Sequence, residues 1–239
     1  MNRREFSAAA LRFALARACA SASLLCLVRP GPAQEPPPAP APNPSQVFQL
    51  AKPVGGNVRH DAGAFEFEMG GFSYHVRQNG NGWRKRGEKT RRFNLRLDGG
   101  WLGRVYFHDY GGRLLLVCEA GDGEGAWGFV TLLEQPSMRG RWRQHIPAFN
   151  VGEPLREGRS LYVTGFGFVG RLDLGTGAFD WKHDDLYDPR EGAPKHFNSF
   201  KQPELVGETV LFREQSVYNS LKLKTLVADK KTGKIIRVE

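Results

Sequence analysis

Three observations predict an all-β fold for this 239-residue chain. Apolar and charged residues alternate with a period of two in Phe65-Glu66-Phe67-Glu68-Met69, Phe72-Ser73-Tyr74-His75-Val76 and Phe93-Asn94-Leu95-Arg96-Leu97, the spacing of a half-buried strand. No window of helix length carries an apolar stripe at i, i+3, i+4 and i+7, because glycines interrupt every candidate. Near the C-terminus, Leu172-Asp173-Leu174-Gly175-Thr176-Gly177 and Ala228-Asp229-Lys230-Lys231-Thr232-Gly233 share the pattern Asp-x-x-Thr-Gly. A period of roughly 50 residues signals stacked β-units.

The chain opens on a segment, residues 1–33, that reads as an export signal. Arg3 and Arg4 start it, an uncharged stretch from Ala18 to Val28 forms its apolar core, and Gly31-Pro32-Ala33 supplies small residues for cleavage. The core is too short to span a bilayer as a helix. Asn2-Arg3-Arg4-Glu5-Phe6 partly matches the bacterial twin-arginine motif, with Asn2 for the usual Ser or Thr. The general secretory route and an Arg-rich organelle presequence fit the same composition. Residues 34–46 follow as a Pro/Ala tract, an extended tether without a core. Residues 47–239 then form one domain's worth of chain, exported to the periplasm or outside the cell on this reading, with no transmembrane segment expected.

Within that domain the strands come in turn. Gly70-Gly71 separates two alternating runs, as in a two-residue hairpin. Asp98-Gly99-Gly100 and Tyr110-Gly111-Gly112 bracket Val105-Tyr106-Phe107, and Leu114-Leu115-Leu116-Val117 reads as a buried strand. Cys118 ends that run. Cys19 and Cys26 belong to the signal, so the domain has no partner for an internal disulfide, and Cys118 reads as a buried strand residue. The formal charge of +9 falls to roughly +5 without the signal, too little for a nucleic-acid signature, and none is expected as a partner.

The repeat unit recurs. Gly112-Arg113-Leu114-Leu115 parallels Gly158-Arg159-Ser160-Leu161 and Gly207-Glu208-Thr209-Val210. In the Asp-x-x-Thr-Gly turn, the aspartate accepts local N–H groups while glycine supplies a positive φ. The segment Leu161-Tyr162-Val163-Thr164-Gly165, then Val169-Gly170-Arg171-Leu172-Asp173-Leu174-Gly175-Thr176-Gly177, closed by Trp181, resembles the repeat of quinoprotein-type (PQQ-like) β-propellers. The resemblance covers about residues 112–239, with Arg237 in the tryptophan position of the last unit. It implies a β-propeller-like array of roughly four antiparallel blades, with a tryptophan packed between blades. A small closed propeller, an open array and a blade-like sandwich all fit four units. The family holds both cofactor-bearing dehydrogenases and cofactor-free exported scaffolds, so the repeat leaves the activity open.

Two polar stretches stand out. Trp83 to Phe93 holds Arg84, Lys85, Arg86, Lys89, Arg91 and Arg92; it reads as a solvated loop between strands, and acidic glycans or a lipid surface are its functional targets if it has any. The stretch from Lys182 to Lys201 lies between two repeat units and carries His183, Asp184, Asp185, Tyr187, His196 and Asn198, the expected ligand surface. No spacing there has the regularity of a zinc or calcium loop, and no nucleophile elbow or Cys–His pair occurs. The function expected is therefore a non-catalytic binding or scaffold module without cofactor, its partner an envelope protein or glycan. A periplasmic oxidoreductase or hydrolase, with its site in residues 182–201, is the alternative.

Overall fold

The computed structural model describes residues 47–55, 63–190, 196–215 and 223–239, all within one compact unit. The signal and the tether expected over residues 1–46 lie outside the described residues. Every regular element described is a strand, nineteen in all, and no described helix is long and apolar enough to cross a membrane.

Two short strands come first, β1 (Gln49–Leu50) and β2 (Lys52–Val54). The first blade continues with β3 (Ala64–Met69), β4 (Phe72–Arg77), β5 (Asn81–Arg86) and β6 (Lys89–Asn94), and the second with β7 (Trp101–Asp109), β8 (Leu114–Gly121), β9 (Ala126–Glu134) and β10 (Arg139–Ile146). The third holds β11 (Leu155–Glu157), β12 (Ser160–Gly165), β13 (Phe168–Asp173) and β14 (Phe179–His183). The fourth holds β15 (Ser199–Phe200), β16 (Glu204–Val206), β17 (Thr209–Gln215), β18 (Thr225–Asp229) and β19 (Ile235–Val238). The first three blades are antiparallel meanders in chain order, with β1 and β2 added to the edges of the second and first, and in the fourth both β15 and β16 pair with β17, followed by β18 and β19. The all-β, four-bladed, propeller-like array expected from the repeat is the fold.

The N-terminal segment runs across the blades. Val47 bridges Leu155 of the third blade, Gln49 and Leu50 pair with Phe107 and Tyr106 of the second, and Lys52 to Val54 pair with Glu66 to Ala64 of the first. One stretch of eight residues thus covers strand edges that would otherwise present unpaired N–H and C=O groups.

Three apolar cores lie between successive blades. Phe65, Phe67, Tyr74 and Val76 meet Leu114, Leu116 and Cys118 in the first. Leu115, Val117 and Val130 meet Leu161, Val163 and Phe168 in the second. Tyr162, Val169 and Trp181 meet Phe200, Val210 and Phe212 in the third. Successive strand residues point to opposite faces, so β8 sends alternate side chains into two cores and reads as an unbroken apolar run. In β3, which has a blade on one side only, apolar and acidic residues alternate.

The charged stretch from Trp83 to Phe93, expected to be a solvated loop, is instead the β5–β6 hairpin, paired from Asn81↔Asn94 to Arg86↔Lys89. Charge occupies both faces because β6 is the edge strand of its sheet and all its residues but Phe93 are exposed. The repeat extends further than the glycines show: Met138, with φ 59°, donates its N–H to the Glu134 carbonyl at 2.7 Å, as Gly177 and Gly233 do to Asp173 and Asp229, both at 2.8 Å.

Candidate binding face

The residues from Lys182 to Lys201 connect the third blade to the fourth, and their backbone is stitched to two other loops. The Phe166 N–H donates to the Phe149 carbonyl at 2.7 Å, and the Gly167 N–H to that of Asn198 at 2.9 Å. Leu186 donates to Gly167 at 3.1 Å and Phe197 to Leu186 at 2.9 Å. Leu186 and Phe197 are buried in the third core and anchor the connection from beneath. Gly167 has φ 62°, and a β-carbon there would come within 2.6 Å of Tyr187 Cβ. Only glycine lets the connection lie this close to the β12–β13 turn.

A row of rings results. Phe149 and Phe166 stack with centroids 4.6 Å apart, Phe166 meets Tyr187 at 4.6 Å, and Tyr187 meets His196 at 5.0 Å. Phe149 and Tyr187 are each 42% exposed, although both are large apolar side chains on a backbone fixed by hydrogen bonds. The His196 Nδ1 donates to the Asp188 carbonyl and fixes the ring beside Tyr187.

The other sequence-expected residues divide between this face and the scaffold. Asp184 pairs with Lys182 at 2.5 Å, and that hydrogen bond holds its carboxyl below the usual range. Asp188 is held low in the same way by Arg190. His183 points elsewhere: its Nε2 hydrogen-bonds the Gly233 carbonyl at 2.7 Å in a turn of the fourth blade. Asn198 donates through its backbone N–H at 2.9 Å and its Nδ2 at 3.0 Å to the buried Glu214, whose other oxygen accepts the Lys224 N–H at 3.2 Å. Asp185 is exposed beside Leu186. The structure therefore brings Tyr187 and His196 together and directs His183 and Asn198 into blade contacts. Phe149 and Phe166 lie outside the expected stretch, and their only sequence signal is an aromatic in each of two short turns.

At the other end of the strands a polar cleft of about 660 Å³ opens between Glu68, Asp109, Gly112, Val47 and Arg156. His108 lines it, its Nδ1 3.2 Å from the Val47 carbonyl and its ring stacked on Phe48 at 4.9 Å. Burial, then Arg156, pushes its pKa down, so it stands neutral. Cys118 is fully buried and burial pushes its thiol far up, which leaves it no thiolate for nucleophilic work. Among the described residues, no three His, Cys, Asp or Glu side chains converge as metal ligands.

No family model matches the sequence, and no curated protein matches it. Among solved structures, the chain is similar to a quinohemoprotein alcohol dehydrogenase from Pseudomonas putida HK5, at 12% identity and a TM-score of 0.47 over 80% of this chain and 36% of that one. A europium-containing methanol dehydrogenase is similar at 15% identity and a TM-score of 0.38, over 62% of this chain and 28% of that one. BamB from Moraxella catarrhalis is similar at 12% identity and a TM-score of 0.32, over 81% and 79%. The chain thus spans well under half the length of either dehydrogenase.

Proposed function

We propose that the protein is an exported, non-catalytic binding module that takes a protein partner on the row Phe149, Phe166, Tyr187 and His196. The observation that carries this reading is the exposure of Phe149 and Tyr187 on loops held by backbone hydrogen bonds. Rigid aromatic side chains bury much area at small entropic cost, and such residues dominate binding energy at protein interfaces. The polar groups beside them are engaged in structure: Asp184 with Lys182, Asp188 with Arg190, Asn198 with Glu214 and His183 with Gly233. Export rests on the arginines, apolar core and small residues of the first 33 positions.

The test is retention of envelope proteins on the immobilised full chain, compared with Phe149→Ser/Tyr187→Ser. Both side chains are surface residues, so the melting temperature should stay within about 2 °C of wild type. A protein bound by the wild type and released at least tenfold more readily by the double variant is expected. Equal retention by both, or retention of glycans alone, would overturn the assignment. Turnover that co-purifies with the protein and survives in the double variant would place the activity elsewhere.

A further inference from the structure

We propose that the β5–β6 hairpin of the first blade binds an acidic polysaccharide laid along its free edge. This is a second surface, separate from the aromatic row. Lys85, Arg86, Lys89, Arg91 and Arg92 are all exposed, and none of them has a carboxylate within ion-pair range among the described residues, although Glu88 sits in their own turn. Some exposed cations elsewhere are neutralised locally, as Arg213 is by Glu204 at 2.9 Å and Arg141 by Glu134 at 3.0 Å, while others, such as Arg77, Arg139 and Lys201, are exposed singly on separate strands and loops. The hairpin differs in density: five such cations stand together on two adjacent strands.

The width of that charge decides what fits. On the outer face, the register places Glu66, His75, Trp83 and Arg92 in one row across β3, β4, β5 and β6. With strands about 4.8 Å apart, Glu66 lies about 14 Å from Arg92 across the sheet. Glu68 occupies the same strand as Glu66 and is likewise exposed. A flat anionic membrane would press against these carboxylates as well as the cations. A linear polyanion can follow β5 and β6 and leave the acids aside. Among the described residues β6 pairs only with β5, so one side of its backbone also remains open along this path.

Trp83 distinguishes among linear polyanions. It is half-buried and lies flat on His75, with centroids 4.8 Å apart and planes 3° from parallel; His75 in turn contacts Glu66 at 3.0 Å. The band therefore offers one braced aromatic surface beside Arg92. Single-stranded nucleic acid is held by aromatic side chains on which successive bases stack, and Trp83 is the one ring on the outer face of β5 and β6, Phe93 being buried on the inner face. One aromatic surface flanked by guanidinium and ammonium groups suits a sugar ring that carries carboxylate or sulfate.

The full chain should be titrated with dextran sulfate and polygalacturonate, with phosphatidylglycerol vesicles and a single-stranded oligonucleotide in parallel. Both polysaccharides are expected to bind, with affinity falling about tenfold or more between roughly 50 and 200 mM salt as counterions are released. Lys85→Ser/Arg91→Ser/Arg92→Ser should weaken them at least tenfold, while Lys182→Ser/Arg190→Ser, which removes cations from the other surface, should not. If the triple variant melts early, Lys89→Glu at the exposed turn carries the expectation, with at least a threefold loss. Failure to bind either polysaccharide, tighter binding to vesicles or oligonucleotide, or undiminished binding by these hairpin variants would overturn the proposal.

Discussion

Trp142 and Trp181 do the same work one blade apart. Each lies over the turn of the next blade, where a β-carbon added to Gly177 or Gly233 would come within 2.5 Å of the indole. Trp142 Nε1 donates to the Leu174 carbonyl at 3.3 Å and Trp181 Nε1 to that of Lys230 at 3.2 Å. The glycine is required twice over, by φ values of 77° and 73° and by the ring above it. Trp181→Ala should therefore cost about 3–5 kcal/mol, read as a lowered denaturation midpoint; an unchanged midpoint would remove the clamp from the account. Gly177→Val should destabilise as well, since a β-branched residue meets both the backbone penalty and Trp142, and a melt equal to wild type would contradict this. Between the first and second blades the same place is taken by a buried Arg84, which donates to Pro136 O at 3.1 Å and Gln135 Oε1 at 3.3 Å. Cys118, with its thiol sealed in the first core, should stay inert to a thiol reagent in the native protein and react fully on denaturation. Rapid native labelling would show that the core opens.

The turns hold charge as well as rings. Asp229 Oδ1 accepts the N–H groups of Thr232 at 2.7 Å and Lys231 at 3.1 Å, and the Thr232 N–H is the leading cause that holds its carboxyl below the usual range. Burial raises the pKa of Asp173, but the Thr176 N–H, Arg159 and the Gly175 N–H outweigh it and leave the group depressed. A carboxylate with a depressed folded pKa contributes its full stabilisation above the unfolded value of about 3.9 and loses it as pH falls through the folded value. The melting-temperature gap between wild type and Asp229→Asn should thus narrow from about pH 5 downward; a gap constant to pH 2 would assign the turn to geometry alone. These elements were legible in the sequence because their cause is local: Asp, Thr and Gly at fixed offsets close one turn, and alternation marks a strand with one wet face. The unit beginning at Gly112 is legible in its strands but not in its turn, because Met138, not glycine, adopts the positive φ there. The β5–β6 hairpin read as a loop because an edge strand needs no apolar outer face. The aromatic row was half legible, since Tyr187 and His196 lie in the long connection while Phe149 and Phe166 join them only through loop contacts.

At the scale of the molecule, the blades are coupled in series. Three cores join first to second, second to third and third to fourth, and among the described residues no apolar core joins fourth to first. The N-terminal segment adds a tie along the first three blades, through β2, β1 and the Val47–Leu155 bridge, and does not reach the fourth in the pairings described. The two ends also differ in surface: the first blade turns charge outward, whereas the fourth exposes Val206, Ile236 and Val238. In a serial array each unit is stabilised chiefly by its neighbours, so a terminal unit with one neighbour opens before an internal unit with two. The second blade has a core on each face, and Leu114 to Cys118 are fully buried. Its strands β8 and β9 should retain amide hydrogens longest in native-state deuterium exchange. The fourth blade should exchange earliest, led by β19, which among the described residues pairs only with β18 and has Arg237 where the third blade has Trp181. The first blade should fall between them, because β2 ties its inner edge while β6 stays free. Equal protection across the four blades would mean that the end blades are joined to each other, as in a closed ring. Protection graded from the second blade toward the fourth is what serial coupling requires.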